Sequence, residues 1–269
     1  MTGDDHALAR DLAAVAGERL LALRAQGSEQ DDLRKAGDRQ SHDFLTAELA
    51  ARRPGDVVLS EEGADNPARL AARRVWIVDP LDGTREFGEP GRTDWAVHVA
   101  LWERSDSGDP GDLTAGAVAL PAQGLTLSTA DLRPAQSDVE PVTTGSAPHR
   151  AGDAGKIRIV VSRSRPPAFV RNISGLIDAE LVPLGSAGAK VAAVVNGEAD
   201  AYVHGGGFYE WDTAAPVAVA RAAGLHASRI DGSALAYNQA DLLMPDILVC
   251  RPALSGTLLR AIREVTHAP

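Results

Sequence analysis

Hydrophobic positions in the first third of the chain predict two helices followed by two short buried strands. Apolar residues recur at helical spacing over residues 4–26, and a second helix is predicted over about residues 38–52, before a Pro-Gly pair. Unbroken apolar runs at residues 57–59 and 75–78 are typical of buried strands. Each run is followed within two residues by a carboxylate, so both strands are expected to end in acidic groups.

The rest of the chain alternates between predicted strands and helices. Three successive sheet strands are predicted at residues 94–102, 115–120 and 124–128. A stretch rich in proline and glycine follows at residues 131–155 and carries no periodicity, which is typical of a loop. The later predicted elements are strand 157–161, helix 167–176, strand 180–184, helix 187–196, strand 201–203, helix 213–223, strand 247–250 and a helix from about residue 254.

That loop is the predicted boundary between an N-terminal lobe, residues 1–132, and a C-terminal lobe, residues 156–269. Mixed strands and helices of this kind predict a layered α/β fold, in which helices cover the sheets. The chain has 269 residues, is 44% apolar and carries a net charge of −10, so disorder and binding to nucleic acid or to a membrane are not expected. One cysteine and an acidic N-terminus unlike a secretory signal predict a cytoplasmic protein.

The most informative segment runs from Asp79 to Thr84, with the sequence Asp-Pro-Leu-Asp-Gly-Thr. Pro80 fixes its own φ and favours an extended residue before it, so we expect the chain to turn at the strand end and both carboxylates to converge. Gly83 allows the next turn, and Thr84 is expected to cap a short helix whose N–H groups suit a phosphate. The alternative is an ordinary strand-end turn with a capping threonine.

Two further acidic segments gain meaning from their positions. If the two buried strands are neighbours in one sheet, Glu61 or Glu62 lies beside Asp79 and Asp82, and carboxylates that close repel unless cations separate them. Asp212 stands at the start of a predicted helix. Taken alone, the glutamates can be solvated surface residues, and Asp212 can be a plain charge at a helix N-terminus.

In combination, these segments resemble the inositol monophosphatase superfamily of magnesium-dependent, lithium-sensitive phosphomonoesterases. The resemblance spans about residues 38–224, and it is carried by residues 59–62, 76–84 and 211–215. It implies the αβαβα sandwich of the sugar-phosphatase fold. It also implies that two or three Mg²⁺ ions are held by Glu61, Asp79, the Leu81 carbonyl, Asp82 and Asp212.

This chemistry agrees with the residue types. Hard carboxylate and carbonyl oxygens select Mg²⁺ over softer metals, and two such ions can assist the hydrolysis of a phosphate ester by water. The water also needs a base, and Thr84 can accept its proton if a carboxylate stands behind the hydroxyl. By the resemblance that carboxylate is Asp38, so we predict Asp38 and Thr84 as the water-activating pair. Because Asp38 opens the predicted second helix, it is also expected to be its N-cap.

Residues that follow the acidic segment Asp79 to Thr84 favour the bisphosphate nucleotidase branch of the superfamily. Residues 84–87 resemble that branch, and so do Ser162, Arg163 and Ser164. The arginine between two hydroxyls could bind a phosphate through bidentate contacts. The alternative for these three residues is a turn-capping segment at a lobe surface.

Gly185, Ser186 and Lys190 lie where a strand passes into a helix, and they resemble the nucleotide contacts of that branch. A glycine-rich turn is weak evidence alone, and the segment lacks the ending of a P-loop. Residues 201–204 stand where many relatives show a proline and an arginine, so either His204 or Tyr209 substitutes for that nucleotide contact or the contact is lost. His204 can equally be a surface residue, and His98 is expected to be packed or solvent-facing. The predicted substrate-binding residues are Gly83, Thr84, Ser162, Arg163, Ser164, Gly185, Ser186, Lys190 and His204.

The resemblance therefore predicts a 3′(2′),5′-bisphosphate nucleotidase, which would hydrolyse 3′-phosphoadenosine 5′-phosphate to AMP and phosphate and so remove a by-product of sulfur assimilation. The alternative within the superfamily is an inositol monophosphatase or fructose-1,6-bisphosphatase activity. An alternative of another class is a catalytically silent metal- or nucleotide-binding regulator, although all the acids and Thr84 are present. The expected partner is a small-molecule phosphate, and relatives suggest a homodimer.

Overall fold

A computed structural model describes the chain over residues 4–27, 29–105, 110–132, 155–164 and 166–266. Within these ranges the chain forms two five-stranded sheets and one two-stranded ribbon. The loop predicted as a lobe boundary falls largely on residues 133–154, which lie outside the described residues, so the division into two lobes stays a prediction. Of the helices in the described part of the chain, none combines the length and the apolar character needed to cross a bilayer.

The first sheet contains five strands in chain order: β1 Val57–Ser60, β2 Arg74–Asp82, β3 Ala96–Glu103, β4 Asp112–Leu120 and β5 Leu125–Ser128. β1 is a neighbour of β2 and parallel to it, and the other pairs are antiparallel. β2 does not end before Asp79; it continues to Asp82 with a shift of register between these residues. Proline cannot donate a ladder hydrogen bond, so the strand accommodates Pro80 through an irregularity rather than through a turn.

Two long helices cover one face of the first sheet: α1 Asp5–Ala25 and α2 Gln30–Arg52. α2 begins eight residues before its predicted start, so the prediction that Asp38 is its N-cap is wrong. Residues 30–37 are mostly polar and show no apolar period, although their acidic first turn favours a helix N-terminus. A Cβ on Gly37 would lie 2.8 Å from the Phe87 ring, so this glycine lets α2 approach the end of β2 closely.

The second sheet is built from the later part of the chain. Its strands are β6 Arg158–Ser162, β7 Glu180–Leu184, β8 Ala201–His204, β10 His226–Ser228 and β12 Ile247–Cys250, and the ribbon consists of β9 Phe208–Tyr209 and β11 Leu243–Met244. The strand order is β10-β12-β8-β6-β7, with β6 parallel to both of its neighbours. The strands not predicted are β9, β10 and β11, which are two or three residues long and too short to show a period.

The remaining helices complete the layers. They are α3 Thr84–Gly88, α4 Thr129–Leu132, α5 Ala168–Leu176, α6 Ala187–Val195, α7 Glu210–Ala222 and α8 Pro252–Thr266, with 3₁₀ helices at Pro67–Leu70 and Pro121–Gln123. α6 and α7 share one hydrophobic cluster with residues of both large sheets, and α5 and α8 pack on the outer face of the second sheet. The predicted αβαβα sandwich is therefore confirmed.

Small residues let the central helices approach the first sheet. α6 and α7 are buried along most of their length, as expected for helices between two sheets. A Cβ on Gly188 would lie 2.3 Å from His98 Nε2 and 2.8 Å from the Cβ of Ala96. Only glycine therefore permits the start of α6 to contact the first sheet beside Asp82.

Candidate active site

Acidic side chains from three segments converge at the C-terminal end of β2. Asp79 and Asp82 lie on β2 and Asp212 lies in the first turn of α7, and each offers a carboxylate oxygen within 4.8 Å of the others. Asp79 is 1% exposed and Asp82 is 7% exposed. Glu61, which follows β1, lies close enough to Asp79 for one carboxyl group to donate to the other when it carries a proton. The four carboxylates that the sequence predicted as metal ligands are thus brought together.

The pKa values of these acids reflect their burial and mutual repulsion. Burial, followed by the charge of Glu61, raises the pKa of Asp79 well above its usual value. Burial and the charge of Asp212 raise the pKa of Glu61 to about 7, and burial and the charge of Asp82 raise the pKa of Asp212 to about 7. The nearby cation Lys190 opposes the shift of Asp212 only in part. Without a metal ion, protons therefore relieve the repulsion.

This donor set fits a divalent metal. Carboxylate oxygens are the ligands that hard cations such as Mg²⁺ prefer, and crowded buried carboxylates are stabilised when a cation takes the place of the protons. The residues that could hold the metal are Glu61, Asp79, Asp82 and Asp212. The Leu81 carbonyl, the fifth predicted ligand, accepts a hydrogen bond from the Thr84 hydroxyl at 3.0 Å.

Two contacts orient the carboxylate of Asp82. Its Oδ2 accepts the backbone N–H of Gly188 at 2.8 Å and lies 3.2 Å from Nε2 of His98. Nδ1 of His98 lies 3.2 Å from the carbonyl oxygen of Trp211, the residue before Asp212. The imidazole is fully buried and bridges the two elements that carry the acids. Of the two predicted possibilities, packed or solvent-facing, the structure therefore shows that His98 is packed. Its imidazole lies inside the acidic site, in contact with Asp82.

Thr84 stands between two acceptors. Its hydroxyl lies 3.3 Å from Oδ1 of Asp38 and 3.0 Å from the Leu81 carbonyl oxygen, and it can donate its single proton to only one of them at a time. Burial, followed by the charge of Glu62, raises the pKa of Asp38 to about 6. Thr84 is the first residue of α3, and Gly83, at φ +85°, occupies the cap position predicted for Thr84.

A cleft of about 400 Å³ opens beside Asp82 and Asp212. Its lining includes four of the predicted substrate-binding residues, Ser162, Gly185, Lys190 and His204, together with the rings of Phe169, Tyr202 and Phe208 and the glycines at 205–207. Lys190 is 4% exposed, and its ammonium group donates to the carbonyl oxygen of Gly185 at 2.5 Å and lies 5.3 Å from the Tyr202 ring centre. The cleft thus combines a buried cation with aromatic walls.

The hydrogen-bonding groups of the turn before α6 already have partners within the protein. The N–H of Gly185 donates to Oδ2 of Asp94 at 2.7 Å, and the N–H of Ser186 donates to the Asp94 carbonyl oxygen at 3.0 Å. The Ser186 hydroxyl accepts the N–H of Ala189 at 2.9 Å and caps the helix. Phosphate binding by Gly185 and Ser186 stays a prediction, and it would require some of these bonds to be exchanged.

Arg163 is also held by carboxylates. Its guanidinium donates to Glu86 at 2.7 Å and to Glu89 at 2.9 Å, and both acids lie in or just after α3. Ser164 is exposed beside it. The contact of Arg163 with a phosphate stays a prediction, because the phosphate would have to compete with two acids.

Comparison with known proteins assigns the chain to a family. Residues 5–267 match the model of the inositol monophosphatase family. The chain belongs to the inositol monophosphatase family. This membership confirms the resemblance carried by residues 59–62, 76–84 and 211–215.

Two similar proteins of known name are bacterial. A Mycobacterium tuberculosis protein named 3′-phosphoadenosine 5′-phosphate phosphatase is 53% identical over 251 residues, which cover 93% of this chain and 90% of the relative. An Escherichia coli K12 protein named 3′(2′),5′-bisphosphate nucleotidase CysQ is 31% identical over 238 residues, covering 84% of this chain and 91% of the relative. Inositol monophosphatase II of Staphylococcus aureus superposes with a TM-score of 0.77 at 21% identity, covering 96% of this chain and 95% of that one, so it shares the fold.

Sequence reasoning missed several residues around this inositol monophosphatase family site. Asp94, which holds the turn before α6, and Glu89, which holds Arg163, gave no signal beyond their acidic character. Glu86 lies in the segment 84–87 that resembles the nucleotidase branch, but its bond to Arg163 was not predicted. The position of His98 could have been found from strand register, because His98 pairs directly with Asp79 across β2 and β3. The other partners depend on contacts between distant segments.

Proposed function

We propose that this chain is a magnesium-dependent phosphomonoesterase that hydrolyses 3′-phosphoadenosine 5′-phosphate to AMP and phosphate. The observation that carries the proposal is the carboxylate cluster of Asp79, Asp82 and Asp212 at the mouth of a cleft that contains the buried ammonium group of Lys190. The activity named for the M. tuberculosis relative, at 53% identity, supports the choice of substrate.

In this mechanism, Glu61, Asp79, the Leu81 carbonyl, Asp82 and Asp212 would hold two or three Mg²⁺ ions. The positive charge of the bound ions would offset the charge of the phosphate and lower the pKa of a water. A bond forms between phosphorus and the water oxygen, and the bond between phosphorus and the 3′ oxygen of the ribose breaks. The released 3′ oxygen takes a proton from solvent and becomes the 3′ hydroxyl of AMP.

Thr84 and Asp38 take the proton of the attacking water. The Thr84 hydroxyl accepts that proton while it passes its own to Oδ1 of Asp38, 3.3 Å away. In the metal-free protein the pKa of Asp38 is raised to about 6, so Asp38 is ionised at neutral pH and can take up that proton. This step requires the Thr84 hydroxyl to turn from the Leu81 carbonyl toward Asp38.

The cleft supports a nucleotide more than a sugar or an inositol. Lys190 supplies a fixed positive charge for the second phosphate, and Phe169, Tyr202 and Phe208 offer flat apolar surface for a purine ring. A ring that carries many hydroxyl groups would need polar partners on those walls instead. Because these cleft residues belong to the C-terminal lobe, 156–269, we propose that this lobe binds the nucleotide and completes the metal site.

The proposal is tested by comparing kcat/KM for 3′-phosphoadenosine 5′-phosphate, inositol 1-phosphate and fructose 1,6-bisphosphate with Mg²⁺ on one enzyme preparation. We expect the nucleotide to be preferred by about a hundredfold or more, which corresponds to about 2.7 kcal/mol of transition-state discrimination. A flat or sugar-favouring profile would contradict the nucleotide assignment and favour the inositol or fructose phosphatase alternative. No phosphate release from any of the three would instead favour the silent binding protein.

The role of Lys190 is tested by the substitution Lys190→Ala. We expect KM for 3′-phosphoadenosine 5′-phosphate to rise at least about tenfold, since the loss of a buried ion pair partner is worth more than 1.4 kcal/mol. KM for a nucleoside monophosphate, which lacks the second phosphate, should change much less. Equal changes for both substrates would remove Lys190 from the second-phosphate site.

We further propose that the enzyme acts in the cytoplasm and assembles as a homodimer. The single cysteine, Cys250, is unpaired and buried, which suits a reducing compartment. The homodimer rests on the family resemblance alone. Sedimentation at micromolar concentration would distinguish it from a monomer.

A further inference from the structure

A buried arginine holds the segment that follows Glu61 in place through hydrogen bonds. Arg69 lies in the 3₁₀ helix Pro67–Leu70 and is 0% exposed. Its Nε donates to Oδ1 of Asp65 at 2.7 Å, and its Nη1 donates to Oδ1 of Asn238 at 2.9 Å. In return, Nδ2 of Asn238 donates to the carbonyl oxygen of Arg69 at 3.0 Å. A charged side chain this deeply buried is stable only with such partners.

The same asparagine belongs to a loop that holds the first residue of α7. The backbone N–H groups of Asn238 and Gln239 donate to the two carboxylate oxygens of Glu210, at 2.6 and 2.7 Å. Glu210 is 1% exposed. Asp212 lies two residues further along α7, and its Oδ2 accepts the N–H of Tyr209 at 2.6 Å. The start of α7, and with it Asp212, is therefore bonded through Asn238 to the segment after Glu61.

The backbone of Asn238 is held in an uncommon conformation. Its φ is +58°, in the left-handed region that residues other than glycine rarely adopt and that asparagine tolerates better than most. Its side chain and its N–H both bond to buried charged residues. The loop conformation is thus determined by Arg69 on one side and by Glu210 on the other.

We propose that Arg69, Asn238 and Glu210 form a positioning network that sets the separation of Glu61 and Asp212. Glu61 follows the last paired residue of β1, and its backbone N–H still donates to the Val78 carbonyl oxygen of β2 at 3.3 Å. The sheet therefore holds the main chain of Glu61, and Arg69 holds the segment that follows it. Asp212 lies on α7, which is distant from Glu61 in the sequence. The network connects these two segments. The proposal depends on the proposed function in one respect only, namely that Glu61 and Asp212 both bind the metal. Residues that orient metal ligands in this way commonly change metal affinity by about 10- to 100-fold when they are lost.

The deciding variant is Asn238→Gly. It removes both side-chain bonds to Arg69, keeps the backbone N–H that bonds Glu210, and relieves the left-handed backbone. Mg²⁺ alone is titrated into the metal-free protein, and binding is followed by calorimetry and by the rise in Tm. We expect the dissociation constant for Mg²⁺ to increase about tenfold or more. Because the titration contains no substrate, its result does not depend on which phosphate ester the enzyme hydrolyses.

Two matched variants separate positioning from a general loss of stability. Asn238→Asp keeps an acceptor for Arg69, and its Mg²⁺ dissociation constant should stay within about threefold of the wild-type value. Asp56→Asn weakens a distant ion network at the start of β2 and should lower Tm without changing Mg²⁺ affinity. If Asn238→Gly lowers Tm but binds Mg²⁺ within about twofold of wild type, the network is only structural and the proposal is overturned.

A second substitution covers the case in which Asn238→Gly does not fold. Glu210→Gln keeps the shape of the side chain but replaces one of the two acceptor oxygens with a donor that faces a backbone N–H. We expect this variant to weaken Mg²⁺ binding at least about threefold while KM at saturating Mg²⁺ stays within about twofold. Unchanged Mg²⁺ affinity in Glu210→Gln would equally overturn the proposal.

Discussion

The two ends of strand β2 gather carboxylates in opposite ways. At the first residue of the strand, the guanidinium of Arg74 bonds to Asp5 at 2.8 Å, to Asp56 at 3.0 Å and to Glu103 at 2.6 Å. Burial alone would raise the pKa of Asp5, but hydrogen bonds from Arg74 and Arg53 bring that pKa below its usual value. These acids have a counterion within the protein.

At the other end of β2, the acids mainly face one another. Asp79 and Asp82 meet Glu61 and Asp212, and the pKa values of Asp79, Glu61 and Asp212 are raised, first by burial and then by neighbouring carboxylates. Both ends are acidic, so the number of acids does not distinguish them. The direction of the pKa shift does: a lowered pKa marks a cluster with its own cation, and a raised pKa marks one that requires a cation from outside.

The largest effect is expected from Asp82→Asn at the metal end. Asparagine keeps an oxygen that can accept the N–H of Gly188, so the fold should be retained. We expect kcat for phosphate release to fall about a thousandfold or more, equivalent to about 4 kcal/mol, because a metal ligand is lost. Thermal unfolding without metal should show an unchanged or higher Tm, since one repelling charge is gone. Full activity in this variant would refute the metal assignment.

The opposite pattern is expected from Arg74→Met at the other end. Asp56 and Glu103 lose the arginine between them, and Asp5 keeps Arg53. The free energy of unfolding should fall by roughly 2–3 kcal/mol, less than for a fully buried pair because Arg74 is 23% exposed. Urea unfolding measures this loss. The value of kcat/KM, measured well below Tm, should match that of the wild-type enzyme. A fall in activity as large as that in Asp82→Asn would show that the two ends are not independent.

Much of the fold follows from local pattern. The apolar run before Asp79 predicted β2, and the family resemblance carried by the acidic motifs implied that Glu61, Asp79, Asp82 and Asp212 form one cluster. The start of α2 could not be predicted in this way, because residues 30–37 are mostly polar and their helix is stabilised through the long apolar part that follows.

The contacts of the cleft residues were less predictable for a different reason. Sequence identifies Arg163 as a cation suited to a phosphate, but it does not show that Glu86 and Glu89, more than seventy positions away, occupy its donors. The same holds for Gly185, whose N–H bonds to Asp94. Whether an acid or a phosphate binds these donors depends on which distant segments the fold brings together. A sequence motif contains only residues that are close in the chain, so it cannot show these contacts.

The smallest expected effect is a difference in the pH dependence of stability. Without metal, Glu61 and Asp212 have pKa values of about 7 in the folded protein, against ordinary values of 4.5 and 3.8. The folded state therefore binds protons that the unfolded state has released. This contribution to stability is fully present below the unfolded pKa values and is lost as the pH rises through about 7. The lowered pKa of Asp5 acts in the opposite sense, and its contribution is lost as the pH falls below about 4.

Thermal unfolding in EDTA and in saturating Mg²⁺ tests this difference. In EDTA we expect Tm to fall by a few degrees between pH 5 and pH 8, because the metal end loses its protons. In Mg²⁺ the fall should disappear, since bound metal then offsets the charge of the ionised carboxylates. Arg74→Met should lower Tm at every pH in this range but leave the slope in EDTA nearly unchanged, because it does not touch Glu61 and Asp212, which produce that slope. A flat profile for the wild-type protein in EDTA would mean that the acids at the metal end are ionised without metal, and the contrast between the two ends of β2 would fail.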